Sequence, residues 1–338
     1  MTFRRIHSIV WVALVVMTSS CLKESEGLSP SALTGVPSWF PEPTVPADNA
    51  YSESRSELGR KLFFDAAMSR NYTVSCASCH LPEFAFSDTS AFSAGDLGAA
   101  GTSNTPPLFN LAWHPYYTRA GGVATLEMQV NIPVQEHNEF NMNMLELVER
   151  LSADPEYQAM STDAYERPLD AWVITRALAN FERTLVSGNS RYDQAMHQPR
   201  TYSLTESEER GRSLFFSDRL QCASCHGGFN FTNYAFENNG LYEVYADSGR
   251  MRLTHFESDR ARFKVPSLRN VAVTAPYMHD GSLKTLYDVI DHYNKGGYPH
   301  QNKSPLIRPL GLTATERTDL VAFLKSLTDI HYQSSLHD

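Results

Sequence analysis

The sequence predicts a mainly α-helical protein made of two similar domains with long irregular loops. The pattern Gly-Arg-x-Leu-Phe-Phe occurs at residues 59–64 and again at 211–216, which indicates an internal repeat. Few stretches alternate as strands do, and residues 87–107 and 227–262 are rich in turn-forming residues. Each half also ends in apolar residues at helical spacing: Ile174, Leu178, Phe181 and Leu185 in the first, Leu320, Leu324 and Leu327 in the second.

A second repeat is the pentapeptide Cys-Ala-Ser-Cys-His at residues 76–80 and 222–226. Two thiols three positions apart can each bond to a haem vinyl group, and the adjacent imidazole can ligate the iron. We therefore expect two c-type haems, held covalently by Cys76, Cys79, Cys222 and Cys225, with His80 and His226 as axial ligands. Zinc ribbons place their CxxC pairs ~15–20 residues apart and a redox dithiol needs no histidine, so both alternatives are disfavoured.

The haems also explain the fold class. A small domain with long loops buries too little apolar surface alone, and a covalently bound macrocycle supplies the missing area. The sequence thus predicts two cytochrome c-like domains, an N-terminal one at residues 51–190 and a C-terminal one at residues 203–330.

The N-terminal residues read as an export signal. Arg4 and Arg5 precede a short apolar run, so residues 1–20 are expected to be a cleaved signal peptide. Small residues before Cys21 resemble a bacterial lipobox, and Leu22 favours outer-membrane sorting; ordinary cleavage that leaves Cys21 as a spare thiol is the alternative. Residues 21–50 are rich in proline and serine and are expected to form a tether. The expected location is the periplasm, anchored to the outer membrane as a lipoprotein.

The formal charge of −9 disfavours nucleic acid as a partner and suits a basic soluble redox protein. Loss of Arg4 and Arg5 with the signal makes the mature chain more negative still.

Beyond the haem motifs, the order of further segments is specific: Leu126-Glu127-Met128-Gln129, Glu139, Val265-Pro266-Ser267-Leu268-Arg269-Asn270 and Ala275-Pro276-Tyr277-Met278-His279-Asp280-Gly281. With these, the chain resembles the bacterial di-haem cytochrome c peroxidase and MauG superfamily from about Ser54 to Leu327. The resemblance implies that the N-terminal haem meets hydrogen peroxide and the C-terminal haem transfers electrons. It also implies that Glu139 is the distal acid and Gln129 the amide beside it.

One departure concerns the N-terminal haem. Typical peroxidases of the family carry a second histidine ligand about sixteen residues after the first motif, where this chain has Asp96. The distal face is therefore expected to be open, and the enzyme to need no reductive activation.

The sixth ligand of the C-terminal haem is either Tyr293 or Met278. The resemblance places the peroxidases' methionine ligand at Tyr293, and a tyrosine there is the pattern of the MauG branch. Met278 is the alternative, because a thioether beside His279 could also reach the iron.

The region between the domains carries two further expectations. Asn104, Thr274 and Pro276 match positions that bind calcium in the superfamily, and oxygen ligands suit this ion. The usual tryptophan between the haems is missing, since the aligned stretch is Arg119-Ala120-Gly121-Gly122; Trp113, Tyr116 or Tyr117 could substitute.

Three functions remain open. The first is a peroxidase that reduces hydrogen peroxide with electrons from a small cytochrome c or copper protein. The second, favoured by Tyr293, is a MauG-like oxidase that uses peroxide to modify a side chain of a partner protein. The third is a plain electron-transfer cytochrome. The resemblance also allows for a homodimer.

Overall fold

The computed structural model describes Leu33 and residues 35–329. The expected signal peptide, Cys21 and the first part of the tether lie outside the described residues. Within them no helix is long and apolar enough to cross a membrane.

Helices dominate the described chain, and the only strands there are two short ones, so the mainly α-helical prediction is confirmed. The strands β1 (Phe236–Glu237) and β2 (Phe263–Lys264) pair antiparallel, with Phe236 opposite Lys264. The helices are α1 (Glu53–Phe64), α2 (Cys76–Cys79), α3 (Leu126–Gln129), α4 (Asn131–Gln135), α5 (Met144–Ser152), α6 (Pro155–Tyr165), α7 (Ala171–Thr184), α8 (Arg191–His197), α9 (Glu206–Phe215), α10 (Met251–Thr254), α11 (Leu286–Lys295) and α12 (Ala314–Ser326).

In the N-terminal domain α1 crosses α7 at Gly59. A Cβ atom on Gly59 would lie 1.9 Å from the carbonyl oxygen of Ala177, so only glycine allows the two backbones to approach this closely. Phe63 then packs on Phe181, with ring centroids 5.2 Å apart. The repeated hexapeptide therefore encodes a helix crossing.

The C-terminal domain repeats this crossing with α9 and α12. A Cβ atom on Gly211 would lie 1.9 Å from the carbonyl oxygen of Asp319, and the rings of Phe215 and Phe323 are 5.1 Å apart. Thr205 and Thr313 begin the two helices with capping boxes, which satisfy free backbone N–H groups.

A third repeat, at a constant separation of 160 residues, is found in the loop before α3 and in the loop before α11. The backbone N–H of Tyr117 donates to Val123 and that of Tyr277 to Leu283. Left-handed backbone recurs at the matching pairs Asn110 and Asn270, Thr118 and Met278, and Gly121 and Gly281.

In this register the unbroken helix α11 corresponds to the broken pair α3 and α4. Pro133 stands where α11 has Tyr293. Proline lacks the N–H that a continuous helix requires, and its side chain cannot ligate a metal. The two domains therefore differ at this element, which is one continuous helix in the second and is interrupted in the first.

The domains are joined through residues 185–205 and a buried ion pair. Both guanidinium Nη atoms of Arg269 contact the carboxylate of Asp193 on α8, at 2.8 and 3.0 Å. The side chain of Asn110 also donates to that of Asn230 across the interface, at 3.0 Å.

Candidate active site

The first haem motif forms the short helix α2. Ser75 and Ser78 build a capping box at its start, and His80 ends it. Cys76 and Cys79 form no disulfide and lie three residues apart, which places them on one face of the helix. Burial raises the pKa of both thiols.

The imidazole of each motif is oriented by a backbone carbonyl. Nδ1 of His80 donates to the carbonyl oxygen of Phe86 at 2.8 Å; Nδ1 of His226 faces the carbonyls of Phe231 and Pro266, each at 3.2 Å. This fixes the tautomer and leaves Nε2 available for iron. Burial lowers the pKa of His80 and brings that of His226 to about 4, which favours the neutral form of imidazole that binds iron.

A cavity lies beside the second motif. Its wall includes Cys222, Cys225 and His226, together with an apolar set from the surrounding helices: Phe215, Leu220, Leu286, Ile290, Leu320 and Leu324. Two thiols, an imidazole and an apolar wall are the groups that a covalently bound haem requires.

Both proposed sixth ligands, Tyr293 and Met278, line this cavity, and Asn239 lies between them. The side-chain N–H of Asn239 donates to the sulfur of Met278 at 3.2 Å. Burial raises the pKa of Tyr293, and a hydrogen bond from Asn239 works in the opposite direction. His292 donates to the carbonyl oxygen of Asn239 at 3.0 Å, which holds this segment in place.

Glu139 lies close to the first motif. Residues 136–142 fold back on α4, because Phe140 donates to Pro133 at 3.1 Å and Met142 to Val134 at 2.8 Å. Burial and the nearby Glu136 raise the pKa of Glu139, and its charge in turn raises the pKa of Cys76 and Cys79.

Gln129 ends α3, one turn before Pro133. Its Oε1 atom is buried and has no hydrogen-bond partner among the described residues. A buried acceptor without a donor is costly, so a bound O–H group would satisfy it. No hydrogen bond joins the Gln129 Oε1 atom to Glu139 within the part of the chain described.

Asp96, at the position of the peroxidases' second histidine, holds two loops together. Its carboxylate accepts from the backbone and side chain of Asn71 and from Thr73, at 2.9, 2.7 and 2.7 Å. Its backbone N–H donates to the carbonyl oxygen of Glu139 at 2.7 Å. Burial opposes these bonds, but they hold the pKa of Asp96 below its ordinary value.

The sequence analysis missed Glu182, a second acidic side chain beside the first motif. Burial raises its pKa to about 8, against the attraction of Arg183, and its charge raises the pKa of Cys76.

The aromatic candidates for an inter-haem bridge lie in two places. Trp113 packs between Phe40 and Phe229, with ring centroids 5.4 and 5.7 Å away. Tyr116 stacks on Phe236 at 5.0 Å and donates to the carbonyl of Tyr234. Both side chains therefore contact residues that follow the second motif.

Two family models match the chain: "Di-haem cytochrome c peroxidase" at residues 53–201 and "Cytochrome c" at residues 208–328. The methylamine utilization protein MauG of Methylorubrum extorquens is 38% identical over 286 residues, which span 83% of this chain and 80% of that protein. The chain belongs to the di-haem cytochrome c peroxidase and MauG family. It is an oxidoreductase of the cytochrome c peroxidase type with two c-type haems.

Other relatives represent both branches of this family. The cytochrome-c peroxidase IdrP1 of Denitromonas iodatirespirans is 31% identical over 86% of this chain and 85% of its own length. A solved structure of a MauG-like protein associated with microbial copper homeostasis is 36% identical, with a TM-score of 0.85 over 89% of this chain and 97% of that one.

Proposed function

We propose that this peroxidase reduces hydrogen peroxide to water at the N-terminal haem, with electrons passed through the C-terminal haem from a small periplasmic cytochrome c or copper protein. The proposal rests on the residues expected on the distal side of the first haem. Glu139 is placed beside the motif there, and Pro133 occupies the position at which the second site has Tyr293.

Glu139 is suited to move the proton in this reaction. The bound haem supplies an iron that accepts a peroxide oxygen and exchanges electrons with it. The Glu139 carboxylate takes the proton from the inner peroxide oxygen and delivers it to the outer one, which leaves as water. Two electrons from the donor and two protons from solvent complete the conversion of one peroxide to two waters. Oε1 of Gln129 accepts a hydrogen bond from the peroxide and orients it.

The same site supports a second proposal, that the as-isolated enzyme needs no reductive activation. The Asp96 carboxylate accepts hydrogen bonds from Asn71 and Thr73, so it is engaged by partners other than iron. No histidine lies between Leu81 and Trp113, so no such ligand has to leave the iron before peroxide binds.

For the C-terminal haem we propose Tyr293 as the sixth ligand. An N–H donor from Asn239 favours a phenolate at this position, and an anionic ligand stabilises the oxidised iron. Met278 remains the alternative, since its sulfur lines the same cavity.

A MauG-like oxidase that modifies a side chain of a partner protein is the second candidate function. Tyr293 favours it, and so does the higher identity to MauG and to the MauG-like structure than to IdrP1.

We place the protein in the periplasm, because c-type haem attachment and the N-terminal signal require the same compartment. Anchoring to the outer membrane through a lipid on Cys21 is part of this proposal. So is a homodimer, which sedimentation of the purified protein would test.

The first experiment is peroxide turnover by the as-isolated diferric protein with a pre-reduced small cytochrome c. Rapid multiple turnover supports the peroxidase. Slow turnover with long-lived oxidised haems supports the MauG-like oxidase, and low-spin, six-coordinate iron at both sites supports a plain electron-transfer cytochrome.

A further inference from the structure

Arg119 makes a two-pronged contact with Asn104 at the junction of the domains. Its Nε and Nη2 atoms donate to the carbonyl oxygen of Asn104 at 3.0 and 2.6 Å, and Nη2 lies 3.2 Å from Oδ1 of the same residue. Both oxygen atoms of Asn104 thus accept from one guanidinium. These are the two oxygens that Asn104 could offer to a calcium ion.

The orientation of Asn104 is fixed by its own donors. Its side-chain N–H group donates to the carbonyls of Ser90 and Ala91, at 3.2 and 3.3 Å. Its backbone N–H donates to the carbonyl of His279, at 2.9 Å. Rotation of the amide would turn these donors toward the guanidinium, so Oδ1 stays directed at Arg119.

The charges around this point also oppose a divalent cation. Arg119 lines the haem cavity together with Lys264, and burial lowers the pKa of Arg119 only to about 10, so it stays charged at neutral pH. Asn104, Thr274 and Pro276 contribute neutral oxygens only, so this set of ligands supplies no negative charge to offset the guanidinium of Arg119 that lies against Asn104. Asp280, the nearest carboxylate in sequence to this set, accepts from Tyr242 at 2.6 Å and from Ser282 at 3.1 Å.

We propose that the guanidinium of Arg119 takes the place of the interdomain calcium ion that the family resemblance implies. It supplies the positive charge at Asn104 and holds that residue, whose N–H is bound to His279, between the two domains. Wild-type protein is then calcium-free and insensitive to chelators. Arg119 also occupies the position at which the family resemblance implies the inter-haem tryptophan. This one residue would therefore account for two departures from the family, the missing tryptophan and the missing calcium ion.

The test is the calcium content and thermal stability of the holoprotein after dialysis against EDTA and then against calcium. For the wild type we expect no stoichiometric calcium and an unchanged unfolding temperature. Arg119→Ala removes the competing cation, and we expect it to bind calcium and to unfold at a higher temperature when calcium is added. Arg119→Lys keeps the charge and should remain calcium-free.

Arg250→Gln is the matched control. Arg250 donates to the carbonyl of the neighbouring Ala120 at 3.0 Å and makes no hydrogen bond to Asn104 among the described residues, so its loss should not create calcium binding. Stoichiometric calcium in the wild type, or a haem-loaded Arg119→Ala variant that fails to bind calcium, would overturn the proposal. These readouts do not depend on peroxide turnover, so failure here and failure of the proposed peroxidase are distinguishable.

Discussion

At the scale of single residues, the proton-transfer role of Glu139 makes a direct prediction. Glu139→Gln should leave both haems bound and slow peroxide cleavage by about 10²–10⁴-fold, the usual contribution of a positioned acid or base. Stopped-flow mixing of the diferric protein with peroxide measures this rate. Glu149→Gln, at an exposed position on α5, is the control; equal rates in the two variants would remove Glu139 from the mechanism.

The raised pKa of Glu139 predicts the pH dependence of the same step. The carboxylate is the form that accepts a proton, so the rate should rise with pH through a midpoint above the ordinary glutamate value of 4.5. Glu139→Gln should abolish this rise. A wild-type rate that is constant from acid to neutral pH would contradict the assignment.

Tyr293 and Met278 can be distinguished at the second haem. Tyr293→Phe should change the visible spectrum of that haem and raise its reduction potential, because an anionic ligand that stabilises the oxidised iron is lost. Met278→Leu should leave both nearly unchanged. The reverse result would assign the ligand to Met278.

The sequence could predict some of these residues and not others. The haem cysteines and histidines follow from a local motif, and Glu139 and Gln129 from the resemblance. Asn239 could not be found, because its role depends on contacts with residues 39 and 54 positions further along the chain. Asp96 was recognised as an absent ligand, but its bonds to Asn71 and Thr73 depend on how two loops fold together.

At the scale of elements, the two helix crossings depend on glycine. Alanine in place of glycine normally stabilises a helix by about 1 kcal/mol. At Gly59 or Gly211 the new Cβ would meet a backbone oxygen at 1.9 Å, so we expect destabilisation by about 1–3 kcal/mol or more. Thermal unfolding of the holoprotein measures this. Gly101→Ala, where the nearest atom is 3.5 Å away, is the control, and stabilisation at Gly59 would contradict the crossing.

Asp96 joins two loops through hydrogen bonds, and its ionisation makes the free energy of unfolding depend on pH. A carboxyl group whose pKa is lowered on folding adds stability above its unfolded value of 3.8, and this stability is lost as the pH falls through the folded pKa. Asp96→Asn places an NH₂ group opposite the donors of Asn71 and Thr73. It should lower the free energy of unfolding by about 1–2 kcal/mol at neutral pH. The difference from wild type should vanish in acid. Asp163→Asn makes the same exchange of side chain on the exposed face of α6 and is the control.

Among the elements, the repeated hexapeptide and the helix at the end of each domain were recognised in the sequence, but the third repeat was not. Its signal was present as Asn110-Leu111-Ala112 and Asn270-Val271-Ala272, with matching Tyr117 and Tyr277 and matching Gly121 and Gly281. These few identical residues are a weak signal of a repeat. What the two copies share is left-handed backbone, which several residue types can adopt.

At the scale of the whole molecule, the interface between domains depends on pairs that no local pattern reveals. Arg269 was part of a recognised segment, yet its partner Asp193 lies 76 residues away. Arg269 also donates to the carbonyl of Phe229 at 2.9 Å, in the loop whose Phe231 carbonyl orients His226. The linker between the domains is thus coupled to the second haem site.

This coupling predicts that the two haem sites lose their structure separately when the pair is broken. Asp193→Ala leaves the buried guanidinium of Arg269 without its partner, which typically costs 3–5 kcal/mol. The second haem should therefore lose His226 ligation at a lower temperature than the first, as followed by the spectra of the two haems during heating. Glu156→Ala, which breaks an exposed ion pair with Lys61, should cost about 0–1 kcal/mol and leave the order unchanged. Simultaneous loss of both haem signals in Asp193→Ala would show that the pair stabilises the molecule as one unit.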